Sequence, residues 1–197
     1  NQINMEKGID VLVEARLPTK FGNFKLIAFP GDSKDKEDLA LIMGEIKNDA
    51  LIRIHSECFT GDVLHSMRCD CGEQLDSAMQ KISKEGNGII VYLRQEGRGI
   101  GLVNKLKAYN LQDEGMDTVE ANIALGFNAE LRDYSNASNI LRNLGIEKIR
   151  LLTNNPSKVE ELEKDGFTVE QVTHKTVANK ENKDYLDTKA SKMNHKL

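Results

Sequence analysis

Three cysteines lie within a short stretch of the chain, and their spacing suits metal binding. They are Cys58, Cys69 and Cys71, and the sequence contains no other cysteine. Zinc prefers thiolate and imidazole ligands, with four protein ligands in a structural site and three plus a water in a catalytic one. The cluster therefore predicts a three-ligand catalytic zinc, a structural zinc closed by His55 or His65, or three buried free thiols. The Cys-Asp-Cys-Gly spacing fits the last interpretation least well.

A zinc ion held by three thiolates differs electrostatically from one held by three neutral histidines. The three thiolates outweigh Zn2+ by one negative charge, so the metal acidifies its water less strongly. A nearby acid or base is then needed, and Glu57 stands directly before Cys58.

A glycine-rich segment, residues 95–101, follows a predicted strand and opens a predicted helix. Its backbone N–H groups can cradle an anion, although a tight strand-to-helix connection explains the glycines equally well. It is not the dinucleotide fingerprint, because Leu102 stands where that pattern requires a third glycine. Basic residues near it favour a phosphate-bearing small molecule, although Lys107 is expected to be a solvated surface charge. These residues are Arg53, Arg94, Arg98, Lys105 and Lys107.

The bulk composition is that of an ordinary globular protein. Hydrophobic residues make up 39% of the 197 residues and charged ones 29%, which excludes a disordered chain. A net charge of −4 disfavours nucleic acid as a partner. Without an apolar run of ~18 residues or a signal peptide, we expect no membrane association. The odd, clustered cysteines argue against disulfides and favour a reducing compartment, so we expect a cytoplasmic protein.

Hydrophobic periodicity predicts a mixed α/β fold, in which a β-rich N-terminal part packs with an α/β part. The first part is expected to contain strands at 11–17, 23–29, 39–46 and 51–55, a charged loop at 32–38 and a helix at 73–84. The second part is expected to contain strands at 89–93, 149–152 and 167–172, and helices at 102–112, 136–144 and 156–165. The last helix begins with an Asn155 cap and Pro156. We expect one domain over 1–178 and a mobile polar tail over 179–197.

Longer motifs extend beyond the cysteines and the glycine-rich segment. They are residues 53–62 (RIHSECFTGD), 68–72 (RCDCG), 94–102 (RQEGRGIGL), 108–113 (AYNLQD), 117–122 (DTVEAN), 125–127 (LGF), 132–134 (RDY) and 151–156 (LLTNNP). Together they resemble the GTP cyclohydrolase II family, and the resemblance covers roughly residues 14–197.

The resemblance implies an enzyme, a hydrolase acting on cyclic amidine C–N bonds. Its reaction would convert GTP to 2,5-diamino-6-ribosylamino-4(3H)-pyrimidinone 5′-phosphate, formate and pyrophosphate, the first step of riboflavin biosynthesis. The resemblance also implies one catalytic zinc per subunit, Mg2+ on the substrate phosphates and a homodimer.

The resemblance assigns roles to particular residues. Cys58, Cys69 and Cys71 would hold the zinc whose water attacks C8 of the guanine. Arg132 would be the nucleophile on the α-phosphorus or a transition-state clamp. Tyr109 would donate or orient a proton near C8, or else be a core aromatic. The residues implied to bind GTP are Arg53, Ile54, His55, Ser56, Glu57, Gln74, Glu96, Gly97, Arg98, Thr118, Thr153 and Lys158.

The sequence departs from the family pattern at three places. Glu130 stands where the family has an aspartate, a proposed proton acceptor; Gln171 stands where it has an arginine; and Asn194 stands where it has a glycine. The first two departures keep open an alternative, a GTP-binding paralogue with weakened catalysis. A metal-stabilised structural protein is a second alternative. A zinc nucleobase deaminase is excluded, because the chain has no Pro-Cys-x-x-Cys motif.

Overall fold

The computed structural model describes residues 9–128, 133–175 and 182–192. Its strands are β1 (Val13–Thr19), β2 (Gly22–Pro30), β3 (Glu37–Met43), β4 (Ala50–Ser56), β5 (Gly88–Leu93), β6 (Lys148–Leu152) and β7 (Thr168–Val172). They form one seven-stranded sheet with the order β1-β2-β3-β5-β4-β6-β7. The predicted mixed α/β class is confirmed, with the β-rich part at one side of a shared sheet.

The strand directions divide this sheet into two parts. Strands β1, β2, β3 and β5 pair antiparallel, whereas β4 pairs parallel with both β5 and β6, and β6 with β7. The central strand β4 is buried along nearly its whole length, whereas the edge strand β1 is mostly exposed. This contrast follows from the sequence, because a parallel strand covered on both faces needs a near-continuous apolar run.

Helices cover both faces of the sheet. They are α1 (Phe59–Asp62), α2 (Cys71–Glu85), α3 (Leu102–Asp113), α4 (Thr118–Ala124), α5 (Ser135–Asn143), α6 (Pro156–Lys164) and α7 (Lys183–Lys192). On one face, Ile140 of α5 and Leu162 of α6 pack with Ile52. On the other, Ile82 of α2 packs with Leu51. Leu51 and Ile52 are neighbours in β4, and successive side chains of a strand point to opposite faces of the sheet. Strand β4 therefore contributes to the hydrophobic core on each face.

Local capping chemistry accounts for several helix ends. Asn155 Oδ1 accepts the Ser157 N–H at 3.0 Å, and Pro156 occupies the first turn of α6, as the sequence predicts. The α4 helix begins with a capping box between Asp117 and Glu120. Capping fixes the first turns of α4 and α6, which contribute Thr118 and Lys158 to the pockets described below.

Most element boundaries lie within two residues of the sequence prediction, and strand β3 shows the largest difference. Strand β3 covers 37–43 rather than 39–46, and it ends where Gly44 takes a positive φ of 71°. Its start extends into the predicted charged loop because the buried Asp38 accepts the Arg94 N–H and contacts Asn136. Its polar partners therefore hold this charged residue inside the sheet.

The α7 helix occupies part of the segment that the sequence assigns to a polar tail. Leu186 and Lys189 of α7 are buried, and Lys189 Nζ lies 2.9 Å from Asp70 Oδ1. A lysine- and asparagine-rich composition predicts solvation, whereas this helix is held by a buried acidic partner that is distant in sequence. None of the helices in the described ranges has the length and apolar character needed to cross a bilayer.

Candidate active site

Three thiols converge where β4 meets the first two helices. Cys58 follows β4, Cys69 lies in the turn before α2, and Cys71 is the first residue of α2. Their Sγ atoms all lie within 4.8 Å of one another, and those of Cys58 and Cys69 are 3.7 Å apart. Sulfur atoms ~2.3 Å from a tetrahedral zinc lie about 3.8 Å apart. The cluster therefore fits a zinc ion without rearrangement of this pair.

Two glycines allow α1 and α2 to approach each other at the cluster. A Cβ added at Gly61 would lie 2.8 Å from Cys69 Sγ, and one added at Gly72 would lie 2.3 Å from the Gly61 carbonyl oxygen. No side chain fits at either position. The glycines of the FTGD and CDCG motifs thus bring the first cysteine next to the other two.

Neither histidine near the cluster joins it. His55 is buried and its Nε2 lies 3.0 Å from Asp62 Oδ1, while burial lowers the pKa of its imidazole and keeps it neutral. His65 is exposed and has a positive φ of 58°. Among the described residues, the group that could hold a metal consists of the three cysteines. The geometry therefore favours three protein ligands, the arrangement of a catalytic metal, over a structural site closed by histidine.

Asp62 fixes the backbone of the first ligand. Its Oδ2 accepts the Cys58 N–H at 3.1 Å and the Tyr92 hydroxyl at 2.7 Å, while Oδ1 holds His55. Asp62 lies four residues after Cys58, one helical turn away. The sequence motifs assign Asp62 no role of its own, although its spacing from Cys58 is visible in the chain.

The three thiols compete for a single negative charge. Hydrogen bonds from Cys69 and Cys71 lower the pKa of the Cys58 thiol. Hydrogen bonds with Cys58 and Cys69 raise the pKa of Cys71. The hydrogen bond with Cys58 raises the pKa of Cys69 to about 11. Three thiolates so close together need a bound cation, because their mutual repulsion in a low-dielectric site is otherwise uncompensated.

Lys105 connects the cysteines to the glycine-rich segment. Its Nζ lies 2.9 Å from Cys58 Sγ and 2.8 Å from Glu96 Oε1. Burial alone would lower the pKa of Lys105, but the Cys58 thiolate and Glu96 outweigh burial and raise it. Lys105 is therefore a permanent cation at this position. Sequence analysis placed it in a basic cluster without a specific role.

Both carboxylate oxygens of Glu96 accept hydrogen bonds from protein groups. Its Oε2 accepts the Phe59 N–H at 2.7 Å, and its Oε1 accepts the Gly97 N–H at 2.8 Å in addition to Lys105. The side chain is buried. Glu96 therefore ties the 3-10 turn of residues 96–99 to α1, and both of its oxygens already have partners.

Tyr109 lies one helical turn beyond Lys105 on α3. Its hydroxyl is 2.9 Å from Thr60 Oγ1, and the Arg68 guanidinium lies 4.4 Å from the ring centroid. Burial raises the pKa of Tyr109, so its hydroxyl keeps its proton at neutral pH. A protonated hydroxyl held beside the cysteines can donate a proton to a leaving nitrogen.

An open cleft of about 710 Å³ contains the cysteines and part of the predicted substrate site. We call it the larger pocket. The backbone of its glycine-rich wall is left-handed at Gly97 and Arg98, with φ of 60° and 61°, which shapes the turn. Sequence-predicted residues in its lining are Ser56, Glu57, Cys58, Cys69, Cys71, Gly97, Arg98, Tyr109 and Thr118.

A second cavity of about 450 Å³ adjoins the first. We call it the smaller pocket. It shares Ser56, Cys71 and Tyr185 with the larger pocket, so Tyr185 of α7 stands at their boundary. The remaining predicted substrate residues that line it are Arg53, His55, Gln74, Thr153 and Lys158. All the predicted substrate residues except Ile54 and Glu96 thus line one of two adjoining spaces.

Ile54 is not brought into either pocket by its side chain. The side chain is buried in the core, and the carbonyl oxygen accepts Lys158 Nζ at 2.9 Å. Its contribution is therefore to position Lys158.

A chain of polar contacts runs beneath the smaller pocket. Arg53 donates to Gln74 Oε1 at 2.6 Å, and Gln74 Nε2 donates to Asp70 Oδ2 at 2.8 Å. Asp70 lies between two of the cysteines and also binds Lys189 of α7. The chain links the floor of the smaller pocket to the metal-binding turn, and both ends of the Gln74 amide take part in it.

Three buried polar atoms of pocket-lining residues have no hydrogen-bond partner among the described residues. They are Arg53 Nε, Ser56 Oγ and Gln95 Oε1. Unsatisfied buried polar groups are rare in native structures, and a bound ligand can satisfy them. Arg53 lines the smaller pocket, Gln95 the larger one and Ser56 both, so their positions support a polar ligand that extends through the two pockets.

Glu57 is held by two cations at the wall of the larger pocket. Arg94 Nε lies 3.2 Å from Glu57 Oε1, and Lys36 Nζ lies 3.5 Å from Oε2. Arg94 also pairs with Glu37. The positive charge of Arg94, one of the predicted basic cluster, therefore positions Glu57 and anchors the start of β3.

Three sequence-predicted positions lie outside the described residues, namely Glu130, Arg132 and Asn194. The roles assigned to Glu130 and Arg132 stay predictions. Gln171, the other departure from the family pattern, donates through Nε2 to the Thr153 carbonyl at 3.2 Å. Gln171 therefore supports the loop of a predicted substrate residue.

Comparison with known proteins gives the class of this site. Residues 10–174 match the family model described as GTP cyclohydrolase II. The chain is 52% identical over 190 residues to the GTP cyclohydrolase-2 of Histophilus somni, covering 95% of this chain and 88% of the relative. It is also 52% identical over 191 residues to that of Pasteurella multocida, covering 95% and 87%.

These sequence matches place the chain in a known class of hydrolase. The chain belongs to the GTP cyclohydrolase II family, and it is an enzyme acting on cyclic amidine C–N bonds. Among solved structures, it is similar to a two-domain 3,4-dihydroxy-2-butanone 4-phosphate synthase from A. baumannii. That match has a TM-score of 0.48 and 23% identity, and it covers 87% of this chain and 42% of the other.

Proposed function

We propose that this chain catalyses the zinc-dependent hydrolysis of GTP to 2,5-diamino-6-ribosylamino-4(3H)-pyrimidinone 5′-phosphate, formate and pyrophosphate, the first step of riboflavin biosynthesis. The observation that carries the proposal is the convergence of three thiols within 4.8 Å in a cleft that also holds Tyr109. Family membership supports the same reaction.

The larger pocket would receive the guanine end of GTP that contains C8. A zinc ion held by Cys58, Cys69 and Cys71 would activate a water molecule for attack on carbon. Tyr109 would supply a proton to the nitrogen released during ring opening. Its contacts with Thr60 and Arg68 keep the ring in place, so the hydroxyl needs little reorganisation.

The smaller pocket would receive the part of GTP that is remote from C8. Arg53 and Lys158 are cations in its lining, and such groups suit the oxygens of an anionic substrate. The partnerless Arg53 Nε and Ser56 Oγ would find acceptors or donors on the substrate. Because the pockets adjoin, one GTP molecule would span both.

Further features belong to the same proposal. Mg2+ would accompany the substrate phosphates, one zinc would be bound per subunit, and the enzyme would act as a cytoplasmic homodimer. Arg132 would act at the α-phosphorus, with Glu130 as proton acceptor. The catalytic domain would correspond to residues 1–178.

The direct test is product stoichiometry with zinc-loaded protein, GTP and Mg2+. We expect equal amounts of formate, pyrophosphate and the pyrimidine product, identified by mass. Cys71→Ser should lose zinc and formate release, whereas Val63→Ser, an exposed position near the same turn, should keep both. Tight GTP binding with no product from the unsubstituted protein would refute the proposal and favour a binding-only paralogue.

A further inference from the structure

Lys105 lies between two buried anionic groups of the site. Its Nζ contacts Cys58 Sγ at 2.9 Å and Glu96 Oε1 at 2.8 Å, and its side chain is only 13% exposed. A lysine ammonium has three N–H donors and no acceptor. The side chain thus points both a charge and hydrogen bonds at a thiol that would ligate the metal.

The charges around Lys105 explain why a cation is needed there. Three thiolates around Zn2+ leave one excess negative charge, and the buried carboxylate of Glu96 adds a second. Negative groups this close repel each other strongly when water is excluded. A lysine hydrogen-bonded to both offsets the repulsion, whereas its removal leaves buried anions without their cation.

Contacts to a metal ligand also alter the metal itself. A hydrogen bond to a thiolate withdraws electron density from the sulfur, so the metal stays a stronger Lewis acid. Lys105 would therefore counter the weak water activation expected of a three-thiolate zinc.

We propose that Lys105 is a positioning residue of the metal site, which donates a hydrogen bond to the sulfur of Cys58 and offsets the excess negative charge of the three-cysteine centre. The inference rests on the proposed zinc site, but it concerns metal binding rather than GTP turnover. Lys107, on the same helix, is exposed and provides a matched control.

The first measurement is zinc affinity by competition with a chromogenic chelator, without GTP. Lys105→Met should bind zinc about 10- to 100-fold more weakly than the unsubstituted protein, the range seen when a group contacting a metal ligand is removed. Lys105→Arg should restore most of the affinity, and Lys107→Met should leave it unchanged. Equal affinity for Lys105→Met and the unsubstituted protein, or an equal loss in Lys107→Met, would overturn the proposal.

The second measurement is the near-ultraviolet spectrum of the cobalt-substituted protein. A thiolate that loses a hydrogen bond becomes more electron-rich, so its charge-transfer band to cobalt should move to longer wavelength in Lys105→Met. Lys105→Arg and Lys107→Met should keep the original band. An unchanged band in Lys105→Met would contradict a contact between this lysine and the metal-bound sulfur.

These measurements separate the possible failures. If Lys105→Met does not fold, judged by far-ultraviolet circular dichroism, Lys105→Gln takes its place, and unchanged zinc affinity in that variant overturns the proposal. A protein that binds zinc and shows the Lys105 effects but does not convert GTP refutes the proposed function and leaves the role of Lys105 intact.

Discussion

The hydroxyl of Tyr109 faces the same cleft as the three thiols and keeps its proton at neutral pH. It lies 2.9 Å from Thr60 Oγ1, and burial raises its pKa. At the scale of single residues, it is a neutral acid in the same pocket lining as the proposed metal ligands. We therefore expect the hydroxyl, rather than the ring, to take part in the proposed chemistry.

Replacing Tyr109 with Phe should separate the role of the hydroxyl from that of the ring. The ring packing and the stacked Arg68 remain, so zinc content and thermal stability should stay close to those of the unsubstituted protein. Formate release should fall by about 10²- to 10⁴-fold, the range expected for loss of a general acid. The exposed neighbour Asn110, changed to Ala, is the control. A Tyr109→Phe enzyme with full formate release would exclude the hydroxyl from the chemistry.

Single-residue roles could be predicted from the sequence where residue type and spacing carry the chemistry. The cysteines met that condition, because three thiols at close spacing predict a group that could hold a metal, and the structure brings them together. Asp62 and Lys105 did not, since each works through a contact that only folding creates. The substrate-binding role of Glu96 stays a prediction, and its partners in α1 and α3 could not be predicted from a linear motif.

At the scale of elements, α7 is tied to the metal-binding turn. Lys189 contributes a cation to Asp70, a buried residue between two of the cysteines, and Tyr185 stands at the boundary of the two pockets. The C-terminal part of the chain is therefore coupled to the stability of the site.

Replacing Lys189 with Met should show this coupling. Asp70 keeps Gln74 but loses a buried cation, and removing one partner of a buried ion pair costs about 3 kcal/mol or more. The free energy of unfolding should fall by about that amount in denaturant titrations. The control is Lys183→Met, because Lys183 is exposed on the same helix. Equal stabilities of the two variants would mean that α7 does not support the turn.

Sequence patterns predicted some elements and missed others for physical reasons. The start of α6 was predictable because an Asn cap followed by Pro is a local signal. The α7 helix was not, because its low hydrophobicity resembles a solvated tail and its docking depends on Asp70, far away in sequence. The short α4 helix lacks a long apolar period, although its capping box was present in the motif at 117–122.

At the scale of the whole molecule, His174 makes stability depend on pH. It is fully buried, and burial lowers its pKa to about 3, whereas the unfolded chain titrates at about 6.5. Between these values the unfolded state binds the additional proton, so stability is fully present above the unfolded pKa and is lost as pH falls toward the folded pKa.

The expected slope is about 1.4 kcal/mol per pH unit from this histidine below about pH 6.5. Denaturant titrations of zinc-free, reduced protein at about pH 7 and about pH 5.5 measure it without interference from metal binding. His174→Asn should reduce the slope and leave the contribution of the buried His55, whose pKa burial also lowers, whereas His65→Asn, at an exposed position, should leave the slope unchanged. An unchanged slope in His174→Asn would assign the pH dependence to other groups.

The measurement that tests the account most directly is formate release from GTP before and after removal of zinc from the unsubstituted protein. We expect chelation to abolish formate release and one equivalent of zinc to restore it, since the three cysteines are proposed to hold the metal for ring opening. Undiminished formate release from protein shown by elemental analysis to lack metal would contradict the account.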